Sequence, residues 1–433
     1  MNTPSSSSNP FFNRHRVSDP RYFSGRQREL ESLYSAVLTH QCRSVVGERK
    51  LGKSSLMTQL KHPQVMRAHG LDPDEYICLY IDLEGMVDIT ADQFWPEILD
   101  RLEMELPPSQ ERLATMAGDL AMAPNLSFIQ VRRFLRRLDR AGITLVMMLD
   151  EFECLATNRA FDVGFYGQLR SLAGELGVVY ITASKRSLYD LTYEHENTLS
   201  SPFFNIFSEI QLALMPPEEA AQLLRDLSGL GDALPFSQDE IDRLVALAGP
   251  HPFFLQIIGY HAYARREEGE LDSEAIAQIT RRFRAEAEDH YRYLWSQLDE
   301  DAQFALMDLD AADGAMRKDL QRKALVRETD SGFEPFSQTF AAFLGRTEPL
   351  ERPERRDTGD LTGTTLGSYR VLNRIGAGGM AVVYKGYQPS LDRYVAIKVM
   401  SRNLGDDQSF VDRFHREAAG VAKLRHQNIV QVY

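Results

Sequence analysis

The stretch "SVVGERKLGKSSL", Ser44 to Leu56, decides the fold. It contains G-x-x-x-x-G-K-S as Gly47, Gly52, Lys53 and Ser54, between an apolar run and the helical "SSLMTQLK". Glycines let successive backbone N–H groups turn inward around phosphate oxygens, and the following helix offers its positive N-terminal end. Lys53 is placed to reach the β- and γ-phosphates of ATP, and the Ser54 hydroxyl to reach Mg²⁺. Ser55 belongs to the same nucleotide-binding set.

A second element supports this reading. "ITLVMMLDEFE" reads as a buried strand ending in Asp150 and Glu151. In α/β sheets, ligands bind beyond the carboxyl ends of parallel strands. Asp150 there can hold Mg²⁺ through water, and Glu151 can orient or deprotonate an attacking water. Taken alone, the pair could equally be an acidic surface turn. "YITASKRSL" ends another strand in polar residues, so Thr182 or Ser184 is a candidate γ-phosphate sensor and Arg186 a candidate direct contact.

Outward from these motifs, "SVVG", "YICLYIDLEG", "ITLVMMLD" and "GVVYITAS" are continuous apolar runs. Runs of that kind suit parallel strands covered by helices on both faces. The expected division is a disordered polar tail over 1–20, an α/β core over 21–215, a helical lid over 216–288 and a winged-helix-like unit over 289–345. A linker follows over 346–366, rich in charge, Pro and Gly, and then a β-rich segment over 367–433. "VRRFLRRLDR", Val131 to Arg140, reads as an amphipathic helix packed on the sheet.

Composition narrows the function classes. The chain has 433 residues with a formal net charge of -13, which argues against broad nucleic-acid binding through phosphate neutralisation. Cys42, Cys78 and Cys154 have no metal or disulfide spacing, which points to a reduced cytoplasmic setting. No apolar run approaches the ~20 residues needed to cross a bilayer, so no membrane partner is expected.

"YFSGRQREL", the two phosphate-site motifs and "GPHPFFLQ" occur in an order that resembles the STAND and archaeal-type AAA+ ATPases, over about Tyr22 to Leu344. The resemblance implies that Phe23, Gly25 and Arg26 help enclose the adenine and that Pro252 packs on it from the lid. The plainer account of "GPHP" is a helix break. Such ATPases are usually switches, in which nucleotide state sets the angle between sheet domain and lid. Self-association through the ATPase part is compatible with the resemblance. Arg317, Lys318, Arg322 and Lys323 make the winged unit's second helix basic; a solvated face or an intramolecular arm is preferred there to a DNA contact.

The last segment carries a second nucleotide motif. "RIGAGGMAVVYKG" supplies Ile375, Gly376, Ala377, Gly378, Gly379 and Val383 in a kinase-like glycine loop, with Ala381 where a third glycine would stand. "YVAIKVM" puts Ala396 and Lys398 in a V-A-I-K strand. In "SFVDRFHREAAGVAKL", Glu417 shares an apolar helical face, and Lys398 is its expected partner. Tyr369 to Tyr433 thus resembles the small lobe of a bacterial Hanks-type Ser/Thr kinase. No H-R-D-x-x-x-x-N or D-F-G motif follows, and the expectation is a truncated reading of a longer ATPase–kinase fusion.

The expected fold class is α/β, a P-loop NTPase parallel sheet with helical lid and winged-helix unit, followed by a β-rich α+β kinase lobe. The expected function is that of an ATP-binding signalling protein, a fragment of a Ser/Thr protein kinase regulated by an N-terminal STAND-like ATPase switch, with ATP at two sites, Mg²⁺ as cofactor, and protein substrates or signalling partners. The alternatives are an ATPase switch carrying a catalytically incompetent stub and, less favoured, a winged-helix DNA-binding regulator.

Overall fold

A computed structural model describes residues 9–12, 15–86, 88–193, 203–347, 361–377, 381–389 and 393–400. The chain divides into two compact units, Met1–Thr347 and Glu348–Tyr433.

The first unit is built on five parallel strands: β1 (Cys42–Val46), β2 (Tyr76–Asp82), β3 (Thr144–Asp150), β4 (Val179–Ser184) and β5 (Phe207–Gln211). Their spatial order is β2-β3-β4-β1-β5. The middle strands are apolar throughout because both faces are covered. On β3, Leu145, Met147 and Leu149 pack towards one helical layer, and Val146 and Met148 towards the other. This is the two-residue alternation of a pleated strand, with both sides dry. The helix Phe128–Arg140 buries Val131, Phe134, Leu135 and Leu138 against the first layer and starts at a Ser127/Gln130 capping box. Its arginines lie on the opposite face, the pattern of an amphipathic helix.

Beyond the sheet come helices Pro217–Ser228, Gln238–Ala248, Pro252–Arg266 and Ser273–Ser296. Two shorter helices, Glu300–Met307 and Gly314–Arg322, the hairpin β6 (Val326–Thr329) and β7 (Gly332–Pro335), and helix Gln338–Leu344 complete the unit. The division placed at 288/289 falls inside one continuous helix, Ser273–Ser296. Ala275, Ile279, Phe283, Ala287 and Tyr291 form a single buried stripe along it. One apolar core, from Met215 to Leu344, is shared by the lid and the hairpin region.

The tail expectation needs correction over residues 9–12 and 15–20, the part of it that the structure describes. Phe11 is fully buried in the lid core. Its ring lies 5.9 Å from Phe236 and 6.3 Å from Tyr263. A Cβ at position 259 would come within 2.3 Å of it, so Gly259 makes room for this ring. The Asn9 side-chain amide donates to Tyr260 O at 2.8 Å. Further along, Val17 N donates to Ser55 Oγ at 2.9 Å, and Gln59 Nε2 donates to Val17 O at 3.0 Å. Composition pointed to disorder, but an aromatic ring in a matching socket holds residues 9–12, and hydrogen bonds to Ser55 and Gln59 hold Val17. Phe11→Ala is expected to destabilise the first unit by roughly 3–5 kcal/mol in chemical denaturation. A loss below about 1 kcal/mol would show that this ring contributes little to the folded body.

The second unit is an antiparallel sheet of β8 (Thr365–Leu366), β9 (Tyr369–Ala377), β10 (Ala381–Gln388) and β11 (Arg393–Met400), in the order β11-β10-β9-β8. Val371, Val382 and Tyr384 form its small core, with Ile397 and Val399 packed against them.

Candidate nucleotide site

The phosphate-cradling loop leaves β1 and enters the helix Lys53–Leu60. Gly52 makes that turn with φ 99°, a conformation that strains side-chain-bearing residues. Lys53 is almost fully buried, and its Nζ donates to Gly47 O at 2.7 Å and Glu48 O at 3.2 Å. Burial lowers its pKa, while Glu151, Glu153, Asp150 and Glu48 pull it back up.

A cavity of about 370 Å³ opens at this loop. Gly52, Lys53, Ser54, Ser55 and Glu151 line one part of it. Phe23, Arg26 and the lid residues Pro252, Phe253 and Gln256 line the rest. Lys50, on the loop, lies 4.9 Å from the Phe253 ring centre, so loop and lid touch directly. Residues 15–17 also reach the cavity, a contribution the tail expectation missed.

Asp150 is buried behind the wall, and both of its carboxylate oxygens are held. Tyr80 Oη donates to Oδ2 at 2.6 Å, and Glu151 N donates to Oδ1 at 3.0 Å. Tyr80 stands on β2, in register with Met148, so it reaches diagonally to the end of β3. Glu151 itself has φ 51°, an uncommon backbone for a residue with a side chain. Burial raises its pKa above the usual carboxylate range, and Glu153 and Asp150 add to the rise; Lys53 and Arg49 oppose it.

Arg26 lines the cavity and has a second task, whereas Gly25, Thr182, Ser184 and Gly47 lie off its wall. Arg26 is buried and clamps the chain: its Nη2 donates to Ala213 O at 2.5 Å and its backbone N–H to Glu219 Oε2 at 2.8 Å. Gly25 stands beside this clamp with φ 79° and is not on the cavity wall. Thr182 and Ser184 are fully buried within β4, and the Ser184 hydroxyl donates to Arg186 O at 2.7 Å. Neither lines the cavity. Gly47 and Arg186 instead line a second cavity of about 420 Å³, which also includes Arg322 and Lys323. His251, in "GPHP", is buried, and desolvation pushes its pKa down to about 3, so it is a neutral ring in the lid core.

In the second unit, register aligns Gly376 with Val383 and Val383 with Lys398 across three strands. Lys398 and Ala396 are exposed on one face of β11, as is Ile375 on β9. Gly378, Gly379 and Glu417, and with them the expected Lys398–Glu417 pair, lie outside the described residues, as does the side chain of Ala377.

A five-stranded parallel sheet with this order, a glycine loop after β1 and an acidic turn after β3 defines a P-loop NTPase. The family model for Novel STAND NTPase 2 matches residues 35–314, and the chain belongs to that family. The Walker-type ATPase PABY2304 of Pyrococcus abyssi has a similar fold, with TM-score 0.50 and 16% identity over 77% of this chain and 99% of that one. The Aeropyrum pernix ORC2 protein gives TM-score 0.51 and 12% identity over 78% and 98%. The C-terminal region is similar to Ser/Thr kinases: 51% identity over 67 residues to PksC of Streptomyces coelicolor and 46% over 67 residues to PrkC of Bacillus subtilis. Each match covers 16% of this chain and only 12% or 10% of the kinase. Among the described residues, no helix is long and apolar enough to cross a membrane.

Proposed function

We propose that this chain is an ATP-operated signalling switch attached to the small lobe of a Ser/Thr protein kinase, which the switch regulates. One observation carries the reading: Lys53, Ser54 and Glu151 share a single cavity with Pro252, Phe253 and Gln256 of the lid. A nucleotide there would touch sheet and lid together. Binding shifts such an arrangement only by its differential affinity for the two states.

In this reading Lys53 binds the β- and γ-phosphates, and Phe23, Arg26 and Pro252 surround the base. The Ser54 hydroxyl lines the cavity and suits Mg²⁺, a hard cation, while Asp150, behind the wall with both oxygens held, would act on the ion only through water. Among the described residues, no group of three or more His, Cys, Asp or Glu side chains forms a metal site by itself. Phosphate oxygens would therefore share the ion, which would offset their charge. Glu151 orients a water and takes its proton as the oxygen attacks the γ-phosphorus, while the bond from that phosphorus to the β–γ bridging oxygen breaks and ADP leaves with the electron pair. Kinase catalysis would need residues that this chain does not contain.

The basic residues of the winged unit favour an internal arm over a nucleic-acid contact. Lys323 pairs with Asp319 at 2.7 Å, and Arg317 donates to Asp310 O at 2.9 Å. The three cysteines are free in the structure, and the cytoplasm is the proposed setting.

The test is an ATP titration of the whole chain by calorimetry, alone and as Lys53→Met and Lys398→Met. Two binding events are expected, each variant losing a different one. If Lys53→Met loses neither, the switch reading fails; if Lys398→Met loses neither, the kinase lobe binds no ATP in this chain.

A further inference from the structure

Glu153 lies two residues beyond Glu151 and has so far entered only as a neighbouring charge. Its Oε1 accepts the backbone N–H of Lys185 at 3.1 Å, just past the end of β4. Its Oε2 is buried and has no hydrogen-bond partner among the described residues. A buried acceptor left unpaired is unfavourable, so the position is held for the sake of its other oxygen or of its setting.

The setting explains it. Glu151 adopts φ 51°, and strained backbone of this kind persists only where its surroundings over-determine it. On the near side, Leu83 N donates to Asp150 O at 3.1 Å, and Glu151 N donates to Asp150 Oδ1 at 3.0 Å. On the far side, Phe152 N donates to Ala183 O at 2.9 Å, Cys154 N donates to Glu151 O at 2.9 Å, and the Glu153 carboxylate adds its side-chain bond to Lys185 N. Lys185 is anchored in turn: its Nζ lies 3.3 Å from Glu48 Oε2 on the phosphate-cradling loop. The acidic turn is thus tied to β4, and β4 to the loop.

We infer that Glu153 is a positioning residue for hydrolysis: by holding the N–H of Lys185 it locks the turn that aims Glu151 into the nucleotide cavity. The inference rests on Glu151 being the base. A tether of this kind acts on the chemical step and leaves ground-state binding to Lys53 and the loop. It therefore predicts a split between kcat and KM.

The experiment compares steady-state ATP hydrolysis and ATP affinity in Glu153→Ala, Glu153→Gln and Glu151→Gln, with thermal unfolding as the folding check. Glu153→Ala should lower kcat about tenfold, with KM and Kd for ATP within about twofold. Glu153→Gln, which keeps an acceptor for Lys185, should recover most of that loss. If the alanine variant does not fold, Glu153→Asp, one methylene shorter, is read in its place and should show the same loss. A kcat within about twofold of wild type in the alanine (or aspartate) variant, while Glu151→Gln is inactive, overturns the inference alone. Equal losses in the alanine and glutamine variants also overturn it, because charge rather than the tether would then matter. A fully active Glu151→Gln sinks the base assignment and this inference with it.

Discussion

Lys53→Met is expected to weaken ATP binding about a hundredfold, roughly 3 kcal/mol, without lowering the stability of the nucleotide-free protein. The Lys53 ammonium lies almost fully buried and is folded back onto two loop carbonyls, Gly47 O at 2.7 Å and Glu48 O at 3.2 Å. Arriving phosphate replaces these neutral acceptors with anionic ones, and charge-assisted bonds are about twice as strong as neutral ones. A methionine of similar length forfeits that gain. It also removes a cation whose charged form burial disfavours, as the lowered pKa records. Binding and stability should therefore separate. Calorimetric ATP titration reads the first, and thermal unfolding with and without ATP reads both. Saturating ATP should raise the wild-type midpoint and leave that of the variant nearly unmoved. An unchanged Kd would mean that the phosphates bind elsewhere; a large fall in the nucleotide-free midpoint would make Lys53 a structural residue.

Within the parallel sheet, the sequence disclosed the strands that are buried on both faces and concealed the exposed edge strand β5. β3 is a continuous apolar run because every residue from Leu145 to Asp150 is buried. β5 was not anticipated: Phe207–Gln211 is an edge strand with Ser208, Glu209 and Gln211 exposed, and only its parallel register with β1 makes it a strand. The expected boundary at 288/289 cut the helix Ser273–Ser296, although its stripe of every fourth residue, Ala275, Ile279, Phe283, Ala287 and Tyr291, was present to be read. The tail hid its anchor for a different reason. Phe11 stands among Ser, Asn and Pro, and its socket over Gly259 is made nearly 250 residues away.

The candidate site divides along the same line. Lys53, Ser54 and Glu151 are legible because a loop, a helix start and a strand end are local features. Tyr80 and Glu153 are not, because their meaning lies in a diagonal across β2–β3 and in a bond to the end of β4. For Thr182 and Ser184, polarity at a strand end was visible but their burial inside the sheet was not.

Glu151→Gln should lower ATP hydrolysis by about 10²–10³-fold while leaving ATP affinity within a few-fold of wild type. Glutamine keeps the shape of the side chain on the cavity wall but cannot take a proton at neutral pH. The wild-type carboxylate is suited to that task because burial, with Glu153 and Asp150 nearby, raises its pKa, against the pull of Lys53 and Arg49. The sign follows directly: the base must be ionised, so wild-type kcat should fall as pH drops through a value above the ordinary carboxylate range. The variant's residual rate should lack that limb. Phosphate release measured in single turnovers across pH, with ATP affinity measured in parallel, separates the possibilities. A selective loss of rate would hold the protein in its ATP-bound form, which a switch needs if hydrolysis is its reset. A matching loss of affinity would instead make Glu151 part of the nucleotide's grip, and the resetting chemistry would have to come from another residue.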